Sequence, residues 1–144
     1  MAVVTVSRPV SAPADRVFHA ISDVTHLPDT VPAIVSVEFL GERRAGVGTR
    51  FRETRRMGSQ THRTDLEIVA FDADARTLRM VSRTPGTTWD TSMEVRSTGS
   101  GSELVFRMAA ESSGWRRLLH VAMRGLYRRG VAAHVEAVKA DCER

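Results

Sequence analysis

Val3-Val4-Thr5-Val6 gives way within a few residues to Ala12-Pro13-Ala14-Asp15-Arg16-Val17-Phe18-His19-Ala20-Ile21, and this change of period decides the fold. The first stretch is β-branched and extended, whereas the second puts Val17, Phe18, Ala20 and Ile21 on one side of a helix. At the far end, Trp115 to Cys142 reads as one uninterrupted helix, about 40 Å long at the α-helical rise. Trp115, Leu119, Ala122, Met123, Leu126, Gly130, Ala133 and Ala137 fall on its apolar face, and Arg117, Arg124 and Arg128 on another. Between these ends lie six further stretches that read as strands. One strand, short helices, a run of strands and a long closing helix imply an α+β chain in which a curved sheet wraps a helix. Such an arrangement holds a cavity, so binding of a small molecule is the default expectation.

The strands expected are Val3–Arg8, Ile34–Leu40, Thr49–Met57, Thr61–Phe71, Thr77–Arg83, Thr87–Arg96 and Glu103–Ala109. Gly58-Ser59, Asp72-Ala73-Asp74-Ala75, Pro85-Gly86 and Ser97-Thr98-Gly99-Ser100-Gly101 supply turns short enough for antiparallel hairpins. Asp23 is a candidate cap for a second short helix that Pro28 and Pro32 stop, and Ser112 or Ser113 for the long helix. The poorly matched end charges and the helix-weakening Gly125 and Gly130 mean that this long helix depends on its apolar face for stability. The two glycines also suggest close approach of another backbone, or room for a ligand.

At 144 residues the chain is expected to form one domain, 1–144, with enough interior for a core. It has no apolar run long enough to span a bilayer and no signal-like leader, so a cytoplasmic location is expected. Cys142 is the sole cysteine and forms no intrachain disulfide. The net charge is +4, carried by arginines except for Lys139. Those arginines are spread along the chain and many alternate with apolar residues, which argues against a nucleic-acid surface. His19 and His26 have no Cys or carboxylate set at metal-ligand spacing, so no metal or cofactor is expected.

Several segments resemble the SRPBCC superfamily, which includes START lipid-transfer domains and polyketide cyclase/dehydrase-like proteins. They are Ala12-Pro13 followed by Val17-Phe18-Ala20-Ile21-Ser22-Asp23, then Leu27-Pro28 with Pro32-Ala33-Ile34 and Val37-Glu38. Gly46-Val47-Gly48-Thr49-Arg50-Phe51 and Thr88-Trp89-Asp90-Thr91 continue the match. The resemblance covers the whole chain in element order. It implies a helix-grip fold: a seven-stranded curved antiparallel sheet around the C-terminal helix, two short helices after strand 1, and a cavity between sheet and helix. Many relatives carry an aromatic residue between the two prolines. Asp29-Thr30-Val31 stands there in this chain, so a more polar or open mouth is expected.

Alternation within each strand then selects an inward face. Its apolar members are Val35, Val37, Phe39, Phe51, Leu66, Ile68, Leu78, Met80, Trp89, Met93, Val95, Leu104, Phe106 and Met108; Glu53, Arg55, His62, Thr64, Ser82 and Thr91 share the register. The expected ligand-lining set is Val37, Phe39, Phe51, Glu53, Arg55, Leu66, Ile68, Met80, Trp89, Met93, Phe106 and Met108, with Leu119, Met123, Leu126 and Tyr127 from the helix. As ordinary core, the same methionines and aromatics would simply fill the interior. Glu53 needs a partner if buried, and Arg55 on the same face is the nearest. Glu53, Tyr127 and His134 are the candidate proton-transfer groups, although His134, beside the apolar face of the helix, reads as a boundary residue rather than a base. Three functions follow. The first is a binder of a small hydrophobic molecule (polyketide-like, aromatic, isoprenoid or lipid). The second is a cyclase, aromatase or dehydratase. The third is an interaction module using the arginine face, and either a monomer or a homodimer fits all three.

Overall fold

The computed structural model describes residues 1–144. Seven strands form one antiparallel sheet: β1 (Ala2–Val10), β2 (Ile34–Phe39), β3 (Arg50–Met57), β4 (Gln60–Asp72), β5 (Thr77–Thr84), β6 (Thr87–Thr98) and β7 (Gly101–Ser112). Their spatial order is β1-β7-β6-β5-β4-β3-β2. Every strand after the first pairs with its sequence neighbour through a hairpin, and β1 closes the far edge against β7. The segment from β1 to β2 crosses the sheet as α1 (Ala14–Ser22), a 3-10 turn (Val24–His26) and α2 (Leu27–Thr30). All seven expected strands are present, most of them a residue or more longer than alternation indicated.

Two irregularities bend the sheet, between Ile34 and Ser36 on β2 and between Ile68 and Ala70 on β4. An extra residue in one strand of a pair increases local twist and curvature. The first bulge also corrects one expectation. Ile34 is buried and Val35 is exposed, because the bulge restarts the alternation between them. Val37 and Phe39 then keep the inward register, opposite Glu53 and Phe51. Gly101, at the β6–β7 turn, sits at φ +149°, and a Cβ there would lie 2.4 Å from the Val10 carbonyl oxygen. That absence of a side chain lets the end of β1 pack on the hairpin, where Ser102 Oγ donates to the Ala12 carbonyl at 2.9 Å.

The long C-terminal helix is two helices, α3 (Trp115–Ala122) and α4 (Arg124–Cys142), with Met123 between them at φ −90°, ψ 4°. Gly125, just beyond the break, lowers the cost of interrupting the ladder. Neither serine caps α3. Gly114 occupies that position at φ +66°, and Ser112 Oγ is buried without a partner. Asp23 likewise caps nothing, since its carboxylate accepts from the His26 ring at 2.6 Å.

The phase of the helix differs from the expected one as well. The buried residues of α4 are Val131, His134, Val135, Val138 and Cys142. This stripe lies along β1 and α1, with a lighter contact to β7, and joins the core cluster that includes Val4, Val6, Val17 and Ile21. The face led by Trp115, Leu119, Leu126, Gly130 and Ala133 is exposed. Side-chain space at Gly125 and Gly130 is open, so neither marks a close approach. The expected face mixed alanines and glycines with large residues, whereas the observed stripe gathers the valines, which bury more area per residue. No helix is long and apolar enough to cross a membrane.

Leu104 is fully buried in this cluster, away from the candidate site. Leu104→Ala is expected to reduce unfolding free energy by about 2–5 kcal/mol, measured by urea titration. A loss below 1 kcal/mol (roughly a single methylene's worth) would contradict this description of the core.

Candidate functional site

The inward register of the sheet forms a trough. Cross-strand pairs run along its floor: Trp89–Ala110, Thr91–Met108 and Met93–Phe106 between β6 and β7, then Ile68–Met80, Phe51–Leu66 and Val37–Glu53 toward β2. Because α4 lies over β1 rather than over the sheet centre, the trough is only partly covered. Val37, Phe39, Glu53, Arg55, Leu66, Trp89 and Met108 are half-buried, as are Met123 and Tyr127 on the helical side. The other expected lining residues divide two ways. Phe51, Ile68, Met80, Met93 and Phe106 are buried members of the core cluster. Leu119 and Leu126 are exposed and pack against none of it, because the burial phase of the helix runs through His120, Tyr127 and His134 instead. The site is therefore an open apolar trough rather than the enclosed void expected.

Two polar clusters interrupt this apolar surface. In the first, Arg55 Nε donates to Glu53 Oε1 at 3.1 Å and Arg55 Nη2 donates to His134 Nδ1 at 3.3 Å. This contact assigns the proton of the neutral ring to Nε2. The His134 ring also lies against Phe106, with centroids 5.3 Å apart. Burial, and the positive charge of Arg55 beside it, push the His134 pKa down to about 3, so the imidazole is neutral at physiological pH. The sequence reading placed His134 at the edge of the helix's apolar face. It is buried, because the register of α4 is rotated relative to that reading.

The second cluster includes His120, which sequence reasoning missed. His120 Nδ1 and the Tyr127 hydroxyl are 2.7 Å apart, and His120 Nε2 and Thr87 Oγ1 are 3.1 Å apart. Trp89 meets both His120 and Tyr127 edge-on, at 5.2 and 5.3 Å, and its indole N–H donates to Thr84 Oγ1 at 3.3 Å. Burial raises the Tyr127 pKa above its usual value, so the phenol keeps its proton at neutral pH. His120, Tyr127 and His134 stand seven residues apart, two helical turns each. That heptad of ring side chains was a visible signal of the true buried face.

Together the clusters offer a cation (Arg55), a carboxylate (Glu53), a protonated phenol (Tyr127), the neutral imidazole of His134 and the ring of His120. Tyr127 and His134, one from each cluster, stand two turns apart on α4, about 10 Å along the helix axis. The remaining polar residues named from alternation behave simply. His62 is exposed, Thr64 and Thr91 are half-buried, and Ser82 is buried. No group of three or more His, Cys, Asp or Glu side chains is placed to hold a metal ion. In the segment between the prolines, Thr30 and Val31 are buried and Asp29 is exposed.

Two depressions lie elsewhere. One, of about 250 Å³, is on the convex face of the sheet around Ala70, Arg79, Glu94 and Arg107. The other, of about 290 Å³, lies between α1 and the end of α4, around Arg16, Asp23, His26 and Asp141.

A seven-stranded sheet gripping a C-terminal helix over an apolar trough defines the helix-grip class of proteins. The chain belongs to the polyketide cyclase / dehydrase and lipid transport family, whose model matches residues 1–143. No curated protein sequence matches it significantly. Among solved structures it is similar to the Zhui aromatase/cyclase from Streptomyces sp. R1128, at 18% identity and a TM-score of 0.80, over 99% of this chain and 93% of that one. It is also similar to norcoclaurine synthase from Thalictrum flavum in complex with dopamine and hydroxybenzaldehyde, at 20% identity and a TM-score of 0.74, over 96% and 84% of the two chains. A third similarity is to Ara h 8.0201, at 17% identity and a TM-score of 0.77, over 97% and 96%. At these identities the likeness is one of fold.

The depressed His134 pKa has a defined consequence. The unfolded histidine gains a proton near pH 6.5, whereas the folded one resists until about pH 3. The unfolded state therefore binds more protons across that window. The stability contribution is complete above pH 6.5 and is lost progressively as pH falls toward 3, reaching about 2 kcal/mol at pH 5. His134→Phe should flatten this part of the pH–stability curve in urea unfolding. The ring resonances of wild-type His134 should not titrate between pH 5 and 8, and a midpoint near 6.5 would refute the buried, neutral assignment.

Proposed function

We propose that this protein binds a small hydrophobic molecule, polyketide-like, aromatic, isoprenoid or lipid, in the trough between the sheet and the C-terminal helices. The observation that carries the reading is the partial exposure of inward-facing apolar side chains, Val37, Phe39, Leu66 and Met108, on a surface that a tightly closed core would bury. A ligand seated there removes that area from water, at roughly 25 cal/mol per Å² before ordering costs. Trp89 and Tyr127 present ring faces and edges to an aromatic ligand. Arg55 offers a donor to a carbonyl or enolate oxygen, and Tyr127 donates from the other end. These two fixed points would set the direction in which an elongated ligand lies.

A second reading, catalysis of cyclase, aromatase or dehydratase type, is favoured by the chain Glu53–Arg55–His134 together with the Tyr127–His120 pair. The Glu53 carboxylate is the base, and neutral His134, whose Nδ1 accepts from Arg55, holds that guanidinium in place. Arg55 stabilises negative charge developing on a substrate oxygen. The Tyr127 phenol, backed by His120, donates a proton. The apolar walls hold the chain in a folded conformation, which is the larger part of directing a ring closure.

Native mass spectrometry of the purified protein should reveal a co-purified small molecule, or else a thermal shift with planar aromatic polyphenols. Leu66→Arg, placed on the half-exposed trough wall, should weaken binding at least tenfold with the fold retained by circular dichroism (one tenfold step being about 1.4 kcal/mol). No bound species and no shift with any hydrophobic probe would defeat the binding reading. Glu53→Gln that binds but no longer converts a ligand supports the catalytic one, and unchanged turnover removes Glu53 from the chemistry.

A further inference from the structure

Helix α3 is built inside out. Its single buried residue is a histidine, His120, while Trp115, Leu118, Leu119 and Val121 are 65, 74, 43 and 48% exposed. Leu126, at the start of α4, is 57% exposed. Of the nine strongly exposed large apolar side chains in this protein, these five fall within residues 115–126. A water-facing helix ordinarily turns its polar side out. The concentration of large apolar groups on the outer side of one element therefore marks a surface that something else covers.

The charges around this face identify what covers it. Residues 112–135 contain five arginines, Arg116, Arg117, Arg124, Arg128 and Arg129, and no aspartate or glutamate. None of the five forms an ion pair with the protein's own carboxylates. Arg128 donates to the Thr5 carbonyl at 3.0 Å, and the Arg116 guanidinium lies 5.0 Å over the Trp115 ring. A second copy of this chain, docking face to face about a two-fold axis, would bring ten arginines together with no carboxylate from residues 112–135 to compensate them. The complementary surface is instead apolar in its depth and anionic in its outer layer.

We propose that α3 and the first turn of α4 dock in the interfacial layer of an anionic lipid membrane. Trp115, Leu118, Val121 and Leu126 enter the acyl boundary, and the arginines pair with lipid phosphates. Arg116, stacked on Trp115, reaches up from it to headgroup depth, where a snorkelling guanidinium is favoured. Each arginine held near the anionic surface contributes about a fivefold gain in affinity. The face lies beside the trough, because His120, on the inner side of the same helix, bonds to Tyr127. The docking itself does not depend on any ligand occupying the trough.

The test is flotation of the intact protein with vesicles of phosphatidylglycerol and phosphatidylcholine, against phosphatidylcholine alone and against soluble glycerol phosphate as competitor. Binding is expected to the anionic vesicles only. It should weaken with salt and persist in the presence of glycerol phosphate. Leu118→Asp and Arg117→Glu each change an exposed side chain outside the trough. Each should cut vesicle binding by roughly tenfold or more with an unchanged melting temperature. Trp115 should be quenched by lipids brominated in the acyl chain, a signal that Trp115→Phe removes. Equal binding to neutral vesicles, no binding to anionic ones, or full retention by Leu118→Asp overturns the proposal. Self-association abolished by Leu118→Asp, or displacement of the vesicles by an acidic peptide without any acyl-chain quenching, does so as well.

Discussion

The structure depends on the contact between the valine stripe of α4 and the β1 edge of the sheet. Val131, Val135 and Val138 are 5, 0 and 0% exposed. They tie the last element of the chain to the first strand and, through Val17 and Ile21, to the helices that follow it. Burial of β-branched side chains on both elements makes this contact favourable and stiff. Because it is concentrated at the β1 side, α4 leaves much of the concave surface over β2 to β6 uncovered, and α1 and α2 cover only part of it. The open trough is thus a consequence of where the helix is anchored.

Polar groups survive in the trough because each has a partner. Glu53 and Arg55 are paired, and the second hydrogen bond of Arg55 is accepted by a neutral imidazole, which needs no counter-charge. A protonated His134 would bring two cations together in a dry site, and its depressed pKa expresses that conflict. Tyr127 and His120 satisfy one another and Thr87 in the same manner. The arrangement leaves hydrogen-bonding and charge-bearing atoms beside apolar area without orphaning them, as a binding or reacting surface requires.

The break at Met123 separates two helices with opposite relations to the sheet. α4 buries its apolar stripe in the protein, and α3 turns its own outward. The buried face keeps one phase across the break, through His120, Tyr127 and His134, but in α3 that face carries a histidine, so the large apolar side chains fall on the outer side.

Strand parity was legible in the residues alone. The period of two is rigid, so alternation in β3 to β7 placed Phe51, Glu53, Arg55, Met80, Met93, Phe106 and Met108 on the inner face, and the observed registers agree. The order of elements and the family resemblance likewise needed only local pattern. The phase of the C-terminal helix did not follow. Apolar residues occur on nearly every side of Trp115–Cys142, and which side is buried depends on a β1 edge distant in sequence. The bulge that exposes Val35, the Arg55–His134 bond across 79 residues and the His120–Thr87 bond across 33 were decided only by tertiary structure, since they join elements that no local period relates.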